Sequence, residues 1–320
     1  MRCERLLGDG LVRLLYNRVR EQSPKLFHAL TSARASSWLA HINYDSALST
    51  RLSGAGRFLR SLGVDTDELL DPPESLNTPR KVFERRICYE DFRPLAGARQ
   101  VASPADSRVL VGSLQDTSAL YLKEKFFSYK ELLGETKTRW LKAFKGGDYA
   151  VFRLTPEKYH YNHVPVSGRV VDYYEIEGAH HSCNPRAVVS LVTPFSKNRR
   201  AVTIIDSDTQ GGSRVGLVAM IEVVALMIGE IVQNYSQEAY DHPQAMTPGM
   251  LLKKGKPKSL FRPGSSTVVL LFQPGRVSFS QDLVLNQLRS GIPSRFSAGF
   301  GRPLVETEVL VRSSVARALD

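Results

Sequence analysis

The stretch Phe261-Arg262-Pro263-Gly264-Ser265-Ser266-Thr267-Val268-Val269-Leu270-Leu271-Phe272 sets a glycine and two hydroxyl residues at the mouth of an apolar strand. On its own this reads as a loop entering a core. Moving outward, short β-branched runs broken by Gly, Pro, Asn and Asp recur at 108–112, 149–154, 168–174, 187–192, 201–205, 217–224 and 267–272. Their spacing predicts a mainly antiparallel sheet or sandwich with few helices, the clearest helix covering 128–133. Upstream the pattern is different. Between Leu6 and Leu59 apolar residues such as Leu11, Leu14, Leu15 and Val19 recur at helical spacing, with Arg13, Arg18, Arg20 and Lys25 on other faces. A proline-rich passage, Asp71-Pro72-Pro73 to Pro79, separates the two regimes. The fold class expected is α+β: an N-terminal amphipathic helical arm over residues 1–70, a linker leading into the body over 71–100, and a β-rich domain over 101–320.

The chain has 320 residues, 42% of them hydrophobic and 23% charged, enough to bury a substantial core. Its formal net charge of +11 favours a polyanionic partner: nucleic acid, an anionic membrane surface or an acidic small molecule. The basic residues are dispersed and no recognition helix, aromatic RNA-binding signature or zinc finger accompanies them, so nucleic acid ranks last. Cys3, Cys88 and Cys183 are odd in number and irregularly spaced, which argues against a disulfide framework and points to a reducing compartment. The longest apolar stretch, 215–232, is interrupted by Glu222 and Glu230 and falls short of a spanning helix. No secretory or transit peptide is convincing at the N-terminus, where arginines are mixed with Glu4, Asp9 and Glu21.

Three segments of the β-rich part hold reactive side chains. In Ser103-Pro104-Ala105-Asp106-Ser107 a carboxylate sits in a turn before a strand, and taken alone Asp106 reads as a turn former bonded to its own backbone. In Tyr159-His160-Tyr161-Asn162-His163-Val164-Pro165 two of the seven histidines lie three residues apart beside aromatics, and imidazole is the side chain suited to moving protons near neutral pH. A metal site would need further ligands, and although His180, His181 and Cys183 are nearby in sequence, their intervals match no common zinc pattern. The third segment is Gly264-Ser265-Ser266-Thr267.

Together, and in this order, the three resemble the phosphatidylserine decarboxylase family, which has a Ser-Pro-Ala-Asp-Gly segment, a Tyr-His-x-x-His segment before a proline, and a Gly-Ser-Thr-type segment entering a strand. Further matches fill the gaps: 123–134 is similar to the stretch ending Tyr-Ser-x-x-x-Leu-Leu-Gly, Asn184-Pro185 and Lys254-Gly255 have counterparts, and Phe300-Gly301-Arg302-Pro303-Leu304 resembles the closing Met-Gly-Gln-Pro-Leu. The chain departs from the pattern at Ser107, which replaces a glycine, at Lys256-Pro257-Lys258, which lacks the usual acidic residue, and at Arg199, where a glutamate usually follows the asparagine. Aligned on Val268 to Phe272, the nucleophile is Ser266; aligned on Lys254-Gly255 and Phe261 it is Ser265. Ser266 is adopted because Ser-Thr-Val-Val fits.

The resemblance implies a chain that cuts itself before Ser266 and turns that serine into a covalent pyruvoyl group. It implies Ser266, His163 and Asp106 as nucleophile, base and orienting carboxylate, and His160 as a substrate contact. The cofactor is then the pyruvoyl group, which forms a Schiff base with the substrate amine, and no metal is expected. The implied reaction converts phosphatidylserine to phosphatidylethanolamine and carbon dioxide. The two pieces are expected to stay associated, and a homodimer is compatible with the reading. The helices of the arm either pack on the body of the protein or set their basic residues and Trp38 against lipid head groups. Basic residues near an anionic surface contribute about 1 kcal/mol each, and with the lipid substrate that the resemblance implies the expectation is a peripheral membrane protein on the cytoplasmic face of a bacterial cell membrane. Two rivals stand beside this: a pyruvoyl decarboxylase of a soluble amino acid, and an uncleaved lipid-binding relative.

Overall fold

The computed structural model describes residues 59, 63–115, 127–155, 157–181, 194–225, 230–263 and 266–319. Nearly all of the predicted helical arm, the predicted strand at 187–192, and Gly264 and Ser265 lie outside the described residues.

The run that ends in Val-Val-Leu-Leu-Phe becomes a strand with partners on both edges. It is β11 (Ser266–Phe272), fourth in an eight-stranded antiparallel sheet ordered β13 (Thr307–Val309), β2 (Ser107–Ser113), β3 (Asp148–Leu154), β11, β7 (Leu217–Val223), β6 (Arg200–Asp206), β5 (Gly168–Ile176), β9 (Leu251–Leu252). Ser266 lies opposite Leu154 of β3, and Thr267 opposite Val223 of β7. Successive side chains of a strand point to opposite faces. Val268, Leu270 and Phe272 accordingly pack with Phe152, Met220 and Val218, while Val269 and Leu271 pack with Val151, Ala219 and Ile221. Both faces are covered, so the strand is apolar throughout rather than alternating. The expected antiparallel, β-rich body is what forms.

One face is covered by Leu132 and Leu133 of the helix Tyr129–Leu133, Trp140 of the helix Thr138–Ala143, Phe195 and Phe296. The first of these helices begins as its sequence predicts, with the Glu131 N–H donating to the Ser128 hydroxyl, and ends at Gly134 with φ of 93°. The other face meets two three-stranded sheets, β1 (Gln100–Ala102), β14 (Ser314–Ala318), β12 (Val277–Phe279) and β4 (Tyr161–His163), β10 (Pro257–Phe261), β8 (Ile231–Gln233). Their Val101, Val315, Val277 and Phe261 join the core of the large sheet.

The stretch read as a linker packs onto this body. Leu76 and Val82 form a small core with Leu59. Arg85 donates from its guanidinium to the carbonyls of Val82 and Glu157, both at 2.9 Å. Leu69 bridges Ile87. Residues 71–93 are thereby carried to the mouth of the β4–β10–β8 sheet.

A buried ion pair joins that small sheet to the large one. Lys258 Nζ, on β10, donates to Glu222 Oε2 of β7 at 2.7 Å and to Gln233 Oε1 at 2.7 Å, and both charged side chains are fully buried. Gln233 Nε2 donates to the same carboxylate at 2.8 Å, and Ser259 donates to its other oxygen. Burial drives the Lys258 amine down and the neighbouring carboxylate holds it up. Removing one member of such a pair leaves an uncompensated charge, which typically costs about 3–5 kcal/mol. In urea unfolding, Lys258→Met is expected to lose about that much stability, and adding Glu222→Gln to it is expected to recover part of the loss, because the carboxamide carries no charge and its oxygen still accepts from the Ser259 hydroxyl.

Candidate active site

The segment before β2 is a buried loop. Ser103, Ala105 and Ser107 are fully buried, and the hydroxyls of Ser103 and Ser107 both donate to the Ala105 carbonyl, at 2.8 and 3.2 Å. The Ser103 N–H donates to Ser313 O at 2.7 Å, and the His163 N–H donates to Pro104 O at 2.8 Å. Asp106 is therefore not the local turn former that the isolated segment suggests. Its carboxylate accepts the Val311 N–H at 2.7 Å and a two-pronged contact from Arg93, at 3.1 Å from Nε and 2.9 Å from Nη2. Arg93 grips Glu68 in the same way, at 2.8 and 2.8 Å. Burial pulls the Arg93 guanidinium down, but hydrogen bonds to the two carboxylates outweigh it and hold its pKa above the ordinary value.

β4 is short, and its alternation separates the two side chains at its end. Asn162 turns to the large sheet, donating to Ser259 Oγ at 3.0 Å and to Glu222 at 3.4 Å. The fully buried His163 turns the other way, against the edge of the Tyr89 ring at 4.7 Å. Its Nδ1 lies 2.9 Å from Gly255 O and its Nε2 lies 2.9 Å from the Tyr159 hydroxyl. A carbonyl only accepts, so Nδ1 carries the proton and Tyr159 donates to Nε2. Burial lowers the imidazole pKa, the Gly255 hydrogen bond opposes this, and the cations Arg312, Arg93 and Lys256 push it down again, to about 3. The ring is neutral at neutral pH.

Gly255 explains why Lys254-Gly255 belongs to the site. Its φ is +77°, and a Cβ there would lie 2.4 Å from Leu95 Cδ1, so only glycine presents its carbonyl to His163 in this way. Lys254 ties the same turn to the linker, donating to the carbonyls of Ala98 at 3.1 Å and Gln100 at 2.9 Å as well as to Gly97 O. Burial brings its amine down to about 8.

His160 is fully buried and stacks on Phe83 with ring centroids 3.5 Å apart, and its carbonyl accepts the Phe261 N–H. In the β4–β10 register Leu260 faces Tyr161 and Pro257 faces His163. His160 thus lies at the end of β10 that runs on toward Ser266, and His163 at the other end. Ser266 is fully buried at the start of β11 and shares a face with Val268 and Leu270, the face on which the small sheets lie.

Of the residues expected from sequence, Asp106 and His163 sit on segments joined by the Pro104–His163 bond, while their side chains contact Arg93 on one hand and Tyr159 with Gly255 on the other. Arg93, Tyr240, Phe83 and the buried Glu222–Lys258 pair were not singled out by sequence. Tyr159 was quoted only as an aromatic neighbour. Among the described residues no group of three or more His, Cys, Asp or Glu side chains is gathered as a metal ion would require. His181 is held instead through its backbone, which donates to Asn198 Oδ1 at 2.7 Å and accepts from Asn198 Nδ2 at 2.8 Å. Arg199, the departure beside it, pairs with Glu175 at 2.9 Å. Among the described residues no helix is long and apolar enough to cross a membrane.

The family model described as phosphatidylserine decarboxylase matches residues 80–296, from the segment carrying Arg93 to the start of the helix Arg295–Phe300. The chain is 36% identical over 229 residues to a phosphatidylserine decarboxylase proenzyme of Chlamydia trachomatis, covering 71% of this chain and 70% of that one. It is 29% identical over 284 residues to a proenzyme of Clostridium tetani, covering 88% of each. A rice relative, phosphatidylserine decarboxylase proenzyme 2, is 34% identical over 232 residues, and there the match spans 34% of the relative's length. With matches running through the buried loop of Asp106, the strand of His163 and the start of β11, the chain belongs to the phosphatidylserine decarboxylase family of pyruvoyl-dependent carboxy-lyases, which are made as proenzymes.

Proposed function

We propose that this chain cleaves itself before Ser266 and then decarboxylates phosphatidylserine at a membrane surface. The observation that carries the proposal is the position of Ser266: a buried hydroxyl at the first residue of β11, on the face of the large sheet that meets the strand of His160 and His163. In the proposed cleavage, the Ser266 hydroxyl attacks the carbonyl of Ser265 while His163 takes its proton and returns it to the departing Ser266 nitrogen. Asp106 is proposed as the carboxylate that supports the base. His163 lies at the end of β10 away from Ser266 and has both nitrogens engaged, so its approach to Ser266 requires the Tyr159 bond to open and β4 to move. Elimination of the resulting ester, with loss of the Cα proton at position 266, frees a carboxylate on Ser265 and leaves a dehydroalanine, whose imine tautomer is hydrolysed by water to the pyruvoyl terminus of β11 with release of ammonia.

The fit of a pyruvoyl group there is supported by the strand itself. β11 pairs with β3 from Ser266 and with β7 from Thr267 onward, bonds that the peptide before Ser266 does not supply and that would hold the new terminus in place. When formed, the group supplies a carbonyl that withdraws the electrons left behind as carbon dioxide departs. His160, stacked on Phe83 beside this end of β10, is proposed to contact the substrate. The small piece would stay bound to the large one because β11 to β14 are interleaved with β1, β2, β3 and β7. The net charge of +11 supports an anionic lipid surface as the working environment, with residues 1–70 as the associating arm on the cytoplasmic face of a bacterial membrane.

Mass spectrometry of the purified protein is expected to find a small fragment that begins with a pyruvoyl group derived from Ser266. Ser266→Ala is expected to give one uncut chain without activity on phosphatidylserine liposomes, whereas Ser265→Ala still cuts. Cutting of Ser266→Ala, or turnover of free serine as fast as of the lipid, would contradict the proposal. Asp106→Asn and His163→Ala are each expected to slow self-cleavage by about a hundredfold or more, read as the ratio of full-length to cut chain over time.

A further inference from the structure

The proton inventory around His163 is uneven. From Nε2 the chain of contacts runs to the Tyr159 hydroxyl at 2.9 Å, from there to the Tyr240 hydroxyl at 2.8 Å, and from there to Ile87 O at 2.9 Å. Tyr240 also accepts the Ile87 N–H at 3.1 Å. With neutral His163, two hydroxyl protons serve three gaps between acceptor atoms, so one gap stays unfilled. Tyr240 then donates to Tyr159 and Tyr159 to Nε2. The Ile87 carbonyl tolerates this, since it already accepts the Tyr89 N–H at 2.8 Å.

A proton on Nε2 reverses the chain without moving a heavy atom. The imidazolium donates to Tyr159, Tyr159 to Tyr240 and Tyr240 to Ile87 O, and all three gaps are filled. The protonated form therefore gains one hydrogen bond over the neutral form. That gain opposes everything else around the ring: its burial, the cations Arg312, Arg93 and Lys256, and the apolar edge of Tyr89. The charges beyond the hydroxyls are Asp106, which acts on Tyr159, and Arg86, whose guanidinium lies 5.9 Å over the Tyr240 ring while paired with Asp71. The chain runs from the fully buried ring of His163 to a half-buried Tyr240, beside exposed Asp241.

We propose that Tyr159 and Tyr240 are positioning residues that fix the tautomer of His163 and raise its proton affinity through a hydroxyl chain that ends on the Ile87 backbone. The proposal rests on the reading of His163 as the base of self-cleavage. The bond to Tyr159 opens for the transfer and re-forms on the imidazolium, so the chain stabilises the charged ring that holds the Ser266 proton and thereby sets the rate at which Ser266 is processed. Tyr240→Phe removes the hydroxyl but keeps the ring that packs edge-on to Tyr89 and Tyr161 at 5.6 and 4.9 Å. It deletes the extra hydrogen bond of the protonated form.

The test is self-cleavage of freshly synthesised full-length chain, followed on denaturing gels from about pH 2.5 to pH 9, so that the limb of a base held down to about 3 falls inside the range. Loss of one net hydrogen bond predicts cleavage about three- to tenfold slower in Tyr240→Phe at neutral pH, with the acid limb of the profile moved about half to one unit lower. A merely structural defect slows cleavage at every pH and leaves the limb in place, and either that result or an unchanged rate overturns the proposal. Imidazole nitrogen NMR on the uncut Ser266→Ala chain gives an answer independent of how Tyr240→Phe folds. His163 with its proton on Nδ1 and an accepting Nε2 supports the hydroxyl chain; a proton on Nε2 refutes it. His163→Ala run in parallel separates the two ideas, since normal cleavage there removes the base itself, whereas a failed Tyr240→Phe shift with inactive His163→Ala removes only the hydroxyl chain.

Discussion

A carboxylate buried away from water must find a cation or lose its charge, and Asp106 finds Arg93. That contact is what the rest of the site is built on. Arg93 belongs to the segment before β1, Glu68 to a segment earlier still, and Val311, the other donor to Asp106, to the turn before β14. One ion cluster therefore fastens three distant parts of the chain around the loop that precedes β2. The same loop lends its Pro104 carbonyl to the backbone of His163, so the position of the histidine strand is inherited from the cluster.

The second constraint is the pairing of β11 on both edges. A strand in the middle of an antiparallel sheet cannot shift by one residue without sending its whole apolar set to the wrong face. Ser266 is locked by this register, since its own alternation partner positions, Val268 and Leu270, are core residues. The hydroxyl is held in a dry place by packing that has nothing to do with its chemistry. The Glu222–Lys258 pair adds a polar tie between this sheet and the hairpin arm that leads to the serine. It stands where the sequence departs from its family, at Lys256-Pro257-Lys258, and it turns that departure into a buried lysine with a matching carboxylate.

His163 illustrates how a neutral base is kept neutral. Burial, and three nearby cations, make its charged form costly, while Gly255 and Tyr159 decide which nitrogen holds the proton. Orientation and electrostatics come from different elements: the carbonyl from the turn before β10, the hydroxyl from the residues before β4, the cations from the linker, the turn after Gly255 and the turn before β14.

Sequence by itself determined the β-rich body, because short β-branched apolar runs with turn residues between them have few other ways to fold. Six of the seven strands read from it, at 108–112, 149–154, 168–174, 201–205, 217–224 and 267–272, coincide with strands to within a residue or two. Motif order was also legible, and Asp106 and Ser266 each sit beside a strand that the pattern already marked, whereas β4, which carries His163, was not among them. Partners were not. Asp106 with Arg93, Tyr159 with Tyr240, and Glu222 with Lys258 are separated by 13, 81 and 36 residues, and nothing in local periodicity reports a contact made across such intervals. Only the closing of the sheets brings those side chains within hydrogen-bond reach, and it is desolvation inside the closed structure that gives each contact its strength.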